Sequence, residues 1–369
     1  MLSSQNFRVA VLGAGGIAVT HAAALKSLPG IELVAVCDVA PARARAFQQR
    51  WSVPEAFEDV EVMLARVSPD AVHVLLPPAA HAKACETCLS AGSHVFVEKP
   101  FCISLQECRQ VQRTAERLGR KIGVDHNLTY YPGVLDALDY IRSCRLGAIE
   151  HVTVNYIMPD PGVARGVFNH WMFASPENIM LELGPHPVSL VYRLLGKVTD
   201  CNAVASGPIV LPDQSRTYHT WQASLVCQRG TGSLVLSVGK SYSNRWVHIL
   251  GEDGEIEIDF GRLTVNYCSR SPYLRSGKLR QDIGTAGSLV RQSVANFFTQ
   301  SVSSIGLTAA SSWQDTSIRY NIGSFYAALA AGSPIPIGAE EGTAVVEACL
   351  SIVASALDRV RLEGNAVYA

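Results

Sequence analysis

At 369 residues the chain is too long for one ordinary hydrophobic core, so two domains are the default expectation. Hydrophobic residues reach 48% against 17% charged, which suits large buried sheets and excludes a disordered chain. With a net charge of −1 and both signs interspersed, no field favours nucleic acid or an anionic membrane, and no apolar run approaches the roughly 18 residues that span a bilayer.

Residues 8–12 predict a short strand that runs straight into GAGGIA at 13–18 and then a helix to about residue 28. This is G-x-G-x-x-A in the context that gives the pattern meaning, a strand before it and a helix after it. Gly13 permits the tight turn, Gly15 lets backbone approach a pyrophosphate, and Gly16 and Ile17 complete the loop. Ala18 is small enough for the helix to lie close to the strand, and the helix N-terminus offers N–H donors and a positive dipole end. Residues 31–37 predict a second strand ending at Asp38, about 20 residues beyond the fingerprint. An acid there accepts hydrogen bonds from both adenosine ribose hydroxyls and repels a 2′-phosphate, so NAD is expected; Arg43 and Arg45 nearby keep NADP open.

The alternation continues. Asp59 is placed to cap a helix over 60–66, and 71–76 is an apolar strand, His73 apart, that reaches Pro77 and Pro78. A helix from about His81 stops at Ala91-Gly92. Residues 94–97, HVFV, predict a buried strand whose carboxyl end carries Glu98, Lys99 and Pro100. In open α/β sheets that edge is where ligands sit, and Pro100 holds Lys99 extended. A cis Lys99–Pro100 bond is compatible with the sequence, and a surface ion pair is the plain alternative reading of Glu98 and Lys99. Ser104 and Glu107 form a capping box opening a helix that ends at Gly119, and 121–125 is the next strand. Such alternation predicts a parallel, doubly wound Rossmann domain over residues 1–125.

From 126 to 369 the pattern changes. Pro132 starts a helix to about residue 145 that Gly147 ends. Alternating strands follow at 150–158, 200–206, 217–227 and 233–238, then a hairpin of 246–250 and 255–260 around Glu252, Asp253 and Gly254. Strands without intervening helices predict an antiparallel sheet, one face packed by helices and the other available to a partner subunit. Residues 269–286, rich in Gly, Ser and Arg, are expected to be a loop or a mobile segment. Helices near 288–302, 316–331 and 342–362 finish the chain, the last able to pack back on the first domain. Within this half lie FNHWMF at 168–173 and LELGPHP at 181–187, before an apolar helix to Gly196. Glu182 and His186 are four apart, but Gly184 and two prolines argue against one helix through both; Pro187 in a first helical turn leaves His186 at its mouth. A lysine, an acid and a histidine near one pocket are the parts for taking a proton from an alcohol while hydride leaves its carbon. The plain alternative for His186 is a histidine packing at a helix start. Ten cysteines lack paired metal spacing, and Cys85 and Cys88 read as helix residues, so a reducing, cytoplasmic setting without a leader segment is expected.

Taken together, these motifs resemble the Gfo/Idh/MocA family, named after glucose–fructose oxidoreductase, inositol dehydrogenase and a rhizopine-catabolism protein. The residues that carry the resemblance are GAGGIA at 13–18, Asp38, the Leu76-Pro77…His81 turn, AGSHVFVEKP at 91–100, His126-Asn127…Pro132, and Glu182…Gly184-Pro185-His186. It covers nearly the whole length. It implies a Rossmann domain followed by an α/β domain with a large, open, mainly antiparallel sheet that commonly builds homodimers or homotetramers. It also implies a nicotinamide cofactor and sugars, polyols or nucleotide-linked sugars as substrates; without paired metal spacing in the sequence, no metal is expected. Cofactor contacts would include Leu76, Pro77, His81, Glu98, Lys99 and Asn127 beside the glycine loop. Lys99, Glu182 and His186 occupy the catalytic positions. Asn127, Tyr130, Tyr131, His170 and Trp171 join them as substrate-pocket candidates. Two departures stand out: Glu182 where the family usually has aspartate, and Ser189 where another aspartate often follows the histidine by three. Two other functions fit the same architecture, a regulator that binds a dinucleotide without turning it over and a glycoside-cleaving enzyme that recycles NAD in each turnover.

Overall fold

The computed structural model describes residues 6–269, 275–304 and 313–366. Its first part alternates strand and helix: β1 (Phe7–Leu12), α1 (Gly16–Ser27), β2 (Ile31–Cys37), α2 (Pro41–Trp51), β3 (Glu55–Phe57), α3 (Val60–Val67), β4 (Ala71–Val74), α4 (His81–Ser90), β5 (His94–Val97), α5 (Leu105–Leu118) and β6 (Ile122–Val124). The six strands form a parallel sheet ordered β3-β2-β1-β4-β5-β6, so the winding reverses between β1 and β4. At such a reversal the connections leave the strand ends in opposite directions and open a crevice. Local chemistry sets the helix ends largely as expected, although in the capping box of α5 the Glu107 carboxylate accepts the Ile103 N–H at 3.2 Å in place of that of Ser104. Asp59 accepts the Val62 N–H at 2.9 Å, Ser104 accepts the Glu107 N–H at 3.2 Å, and Gly92 and Gly119 take the left-handed conformation that L residues avoid. Neither α2 nor β3 stands out in the sequence: α2 buries only Ala44 and Phe47, and β3 is 3 residues long.

The second part comprises α6 (Pro132–Arg142), β7 (Ile149–Met158), the short helices α7 (Pro161–Arg165) and α8 (Asn178–Leu183), α9 (Pro185–Leu195), β8 (Val198–Val210), β9 (Arg216–Cys227), β10 (Gly230–Val238), β11 (Asn244–Gly251), β12 (Gly254–Asp259) and β13 (Thr264–Ser269). These strands build a 7-stranded sheet ordered β13-β12-β11-β7-β10-β9-β8. Every pair is antiparallel except β7 with β10, between which the chain passes through α7 to α9 and the β8–β9 pair. On β7, Val152, Val154 and Tyr156 alternate inward, and Val247, Ile249, Ile256 and Ile258 continue the buried layer across β11 and β12. Helix α9 packs on β7 and β10.

Three long helices follow, α10 (Arg275–Ser304), α11 (Trp313–Ala331) and α12 (Ala339–Ala366). Here the expected loop is corrected: of 269–286, residue 269 closes β13, 275–286 are helical, and 270–274 lie outside the described residues. The helical phase was hidden by composition. Leu279, Ile283, Val290, Val294 and Phe297 fall on one helical face but are exposed, whereas the opposite face is polar: Gln292 and Asn296 bond to the backbone of Val265 and Leu263.

Compactness divides the chain into two units, Met1–Tyr130 with Gln314–Val346 and Tyr131–Trp313 with Glu347–Ala369. In the first, α11 contributes Ile318, Ile322, Phe325 and Tyr326 to the core formed by Val9, Val11, Leu25 and Phe96. Their spacing of four, three and one places all four side chains on one face of the helix.

Candidate active site

The crevice of the first unit is a cleft of 820 Å³ whose wall includes Gly13, Gly15, Gly16, Ile17, Asp38, Leu76 and Pro77. Its shape follows from the glycines. Gly13 has φ +99°, and a Cβ there would overlap the Leu75 carbonyl oxygen. At Gly15 and Gly16 a Cβ would meet nothing within 4 Å, so the loop leaves open space in front of the N-terminus of α1. Ala18 is fully buried, which lets α1 lie close to the sheet. Beside the glycine loop, Asp38 is 5% exposed at the end of β2. Its Oδ2 accepts the Ala14 N–H at 2.9 Å; its Oδ1 accepts the Ala40 N–H at 2.8 Å and the Arg43 guanidinium at 3.0 Å. Burial alone would raise this carboxyl, but the Ala40 and Ala14 N–H groups and Arg43 outweigh it and hold the pKa below the usual carboxylate range. A cradle free of side chains beside a helix N-terminus, facing a fixed carboxylate, fits a dinucleotide.

Lys99 is half-buried at the carboxyl end of β5, and its bond to Pro100 is cis. Its backbone N–H donates to Glu98 Oε2 at 3.1 Å. His81 joins this strand end to the cleft: its two ring nitrogens face the carbonyl oxygens of Leu76 and Pro100, each at 2.8 Å. Asn127 is buried in the 3₁₀ turn that follows β6, and Tyr130 closes that turn with its hydroxyl 2.5 Å from Ser324 Oγ.

In the second unit, α8 and α9 abut at Gly184, whose φ −61° and ψ −34° are helical. Its N–H donates to Met180 O and its carbonyl accepts from the Val188 N–H, both at 2.9 Å. Two helices rather than one were expected, and two are present, yet the helical path continues across the break and keeps the four-residue phase between Glu182 and His186. Glu182 Oε2 accepts the Trp171 indole N–H at 2.6 Å. His186 is half-buried and stacks on Tyr156, with ring centroids 5.7 Å apart. Ser189 donates to the His186 carbonyl at 3.0 Å, so it is bound to the helix backbone rather than to the imidazole. His170 is exposed and caps the Trp171–Phe173 turn, while Tyr131 is 4% exposed and packs on Phe260. Thus Gly13, Gly15, Gly16, Ile17, Asp38, Leu76 and Pro77 share one cleft, His81 ties it to Glu98 and Lys99, and Trp171 is joined to Glu182.

A model of the Gfo/Idh/MocA family, an oxidoreductase family with an NAD-binding Rossmann fold, matches residues 7–126. The match spans the six strands of the parallel sheet. Among curated proteins it is similar to D-glucoside 3-dehydrogenase of Escherichia coli (strain K12), 29% identical over 53% of this chain and 56% of the relative. It is also similar to dTDP-3,4-didehydro-2,6-dideoxy-alpha-D-glucose 3-reductase of Streptomyces violaceoruber, 25% identical over 68% of this chain and 72% of that one. The chain spans little more than half the length of the first of these relatives. Fold similarity reaches further: levoglucosan dehydrogenase in complex with NADH matches with a TM-score of 0.77 over 96% of this chain and 98% of that chain, at 16% identity.

The Gfo/Idh/MocA signature does not disclose what lies behind Lys99. His21 of α1, His73 of β4, Glu98, Asp125, Asn321 and Tyr326 form one buried hydrogen-bonded cluster in the first unit. The signals were present but separate: a histidine in an alanine-rich helix, a histidine in an apolar strand, and an aspartate ending a strand.

Proposed function

We propose that the protein is an NAD-dependent dehydrogenase acting on a secondary alcohol of a sugar, polyol or nucleotide-linked sugar. The observation that carries this reading is the pairing, in one unit, of the glycine-loop cleft facing Asp38 with a half-buried lysine at the carboxyl end of β5. Bound NAD supplies the hydride acceptor. In the oxidative direction His186 takes the hydroxyl proton on a ring nitrogen, and Lys99 donates a hydrogen bond to the oxygen as it becomes a carbonyl. Glu182, held by the Trp171 indole, supports the positive charge that develops on His186. Asn127, Tyr130 and Trp171 contribute contacts to the substrate or the cofactor. The Asp38 carboxylate favours NAD over NADP. Both named relatives carry a 3-dehydrogenase or 3-reductase activity in their names, so ring hydroxyls at position 3 are the first to test.

The test is NADH formation from NAD with a panel of methyl glucosides, inositols and nucleotide sugars, on wild type and on Lys99→Ala and His186→Ala. General acid–base help of this kind is worth on the order of 10²–10⁴-fold, so each variant should lose that much turnover while NADH binding persists. A variant that keeps the full rate removes that residue from the mechanism. Release of an aglycone with no net NADH would instead support the NAD-recycling glycoside-cleaving function. We also infer a homo-oligomer built on the seven-stranded sheet. The outward apolar stripe of α10, beside edge strand β13, supports this, and light scattering would test it. All ten cysteines are free, which supports a reducing, cytoplasmic setting, and no helix among the described residues is long and apolar enough to cross a membrane.

A further inference from the structure

Ionisable side chains are unusual in the middle of a parallel sheet covered by helices, because each charge removed from water costs several kcal/mol unless it is paired. The first unit nevertheless holds four in and beside that sheet: His73 within β4, His21 on the covering helix α1, and Glu98 and Asp125 just past the ends of β5 and β6. His21, fully buried on α1, places Nε2 3.2 Å from Glu98 Oε1 and 3.5 Å from Asp125 Oδ2. Its other nitrogen, Nδ1, is 2.9 Å from Nδ1 of the equally buried His73, whose Nε2 is 2.9 Å from the Tyr326 hydroxyl. Asp125 Oδ1 accepts from Asn321 at 2.9 Å. Glu98 is held twice more: its N–H donates to Val74 O at 3.1 Å, and its Oε2 accepts the Lys99 N–H at 3.1 Å.

Two protonation patterns satisfy these distances: a relay of neutral rings, in which Tyr326 donates to His73 Nε2, His73 Nδ1–H to His21 Nδ1 and His21 Nε2–H to the carboxylates, and one with a cationic His21. The two carboxyl groups around the ring favour the cation, in which His21 carries both ring protons, giving one to Glu98 and Asp125 and the other to His73. His73 is then neutral, with its single proton on Nε2 and directed at the Tyr326 oxygen. The electrostatics favour His21 as the cation, although burial and the neighbouring Asp125 raise the Glu98 carboxyl. Burial alone would lower the pKa of His21, but Asp125 and Glu98 raise it to about 9, whereas burial and the neighbouring His21 cation push His73 well below the usual histidine range.

We propose that His21 is a positioning residue for Lys99: a buried imidazolium on the helix of the cofactor loop that clamps Glu98 and Asp125 and, through the Glu98–Lys99 hydrogen bond, fixes the strand end that presents the lysine. The clamp makes the glycine-loop helix and the end of β5 move as one body, so the element expected to hold the pyrophosphate also sets where Lys99 stands. The inference rests on the reading of Lys99 as the residue that touches the reacting oxygen. Three of the same groups, His21, Glu98 and Asp125, have the donor types of a metal site. The imidazolium and a bound ion exclude each other at Nε2, because a nitrogen that carries a proton has no lone pair to donate, and the metal content of the purified protein decides between them.

The experiment compares wild type, His21→Gln, Asp125→Asn and Lys99→Ala in three measurements: NADH affinity, the pH profile of kcat for a sugar that wild type oxidises, and the ¹⁵N NMR spectrum of the histidines at pH 7.5. Groups facing the clamp that could titrate alongside it are Glu98, Asp125 and His73, and beyond them Lys99, His81 and Tyr326. The proposal predicts that wild-type His21 shows both ring nitrogens protonated. It also predicts that His21→Gln binds NADH within a few-fold of wild type but loses on the order of 10²-fold in kcat, the scale of an ångström-sized misplacement, with the alkaline limb of its pH profile displaced. A purely structural role would lower the melting temperature and leave kcat per folded molecule and that limb unchanged, which would overturn the proposal. A neutral His21 at pH 7.5, or a stoichiometric metal in the purified protein, would also overturn it, and both are read on wild type even when a variant fails to fold. Full turnover in Lys99→Ala would show the lysine reading itself to be wrong. An inactive Lys99→Ala beside a His21→Gln of wild-type kcat and pH profile would refute the clamp alone.

Discussion

The buried imidazolium makes a prediction about stability as well as turnover. In the unfolded chain a histidine loses its proton near 6.5; in the fold Asp125 and Glu98 hold that of His21 until about pH 9. A pKa raised by folding adds stability that is complete below 6.5 and disappears as the pH climbs through 9. At about 1.4 kcal/mol for each pH unit between those values, the contribution is on the order of 3 kcal/mol, a large fraction of the margin of an ordinary domain. The assay is urea unfolding of wild type and His21→Gln at intervals from pH 6 to 10, reading the intrinsic fluorescence of the chain. Wild type should lose most of that increment between about pH 6.5 and 9, and the loss should be much smaller in His21→Gln, because groups outside the clamp are common to both while Glu98 and His73, which the His21 cation shifts, titrate differently in the variant. The same alkaline slope in the two proteins would refute the assignment of the proton to His21, and with it the charge pattern of the clamp.

Two further outcomes follow from the cofactor cleft. Asp38→Ala removes the carboxylate proposed to face the ribose and frees the Arg43 guanidinium; hydrogen bonds to a charged group contribute about 1.5–3 kcal/mol. NADH affinity should therefore fall about 10- to 100-fold while NADPH gains, whereas Arg43→Ala alone should leave NADH preferred; nicotinamide fluorescence titrations decide, and unchanged discrimination in Asp38→Ala would contradict the role of the acid. Gly13→Ala places a Cβ against the Leu75 carbonyl at φ +99°, a conformation L residues avoid, so it should lower the melting temperature and weaken NADH binding by at least about tenfold; binding at wild-type strength would show that the loop is not held as described.

What could be read from the sequence was what local backbone chemistry writes into it. GAGGIA, Asp38 and the caps at Asp59 and Ser104 each need particular residues at fixed offsets, and the structure has each where the pattern predicts. The parallel sheet followed from strand–helix alternation, and the second sheet from strand following strand. The stretch 275–286 escaped because polar composition and two glycines outweighed a helical phase whose apolar members stay exposed. Gly184 misled less: the prolines do break the helix, but a glycine can hold helical angles as well as leave them, and the helical path runs on across the break. The His21 clamp was invisible for a different reason. Its members come from α1, β4, β5, β6 and α11, and no spacing within the chain announces that five elements meet.

The most direct measurement is isotopic. A methyl glucoside or nucleotide sugar oxidised in the panel is prepared with deuterium on the carbon that bears the reacting hydroxyl, and the NADH formed is weighed by mass spectrometry. Hydride transfer assisted by Lys99 and His186 predicts NADH one mass unit heavier, formed by wild type and on the order of 10²–10⁴-fold more slowly by Lys99→Ala. A cofactor that stays light, or a Lys99→Ala variant that loads deuterium at the wild-type rate, would contradict it.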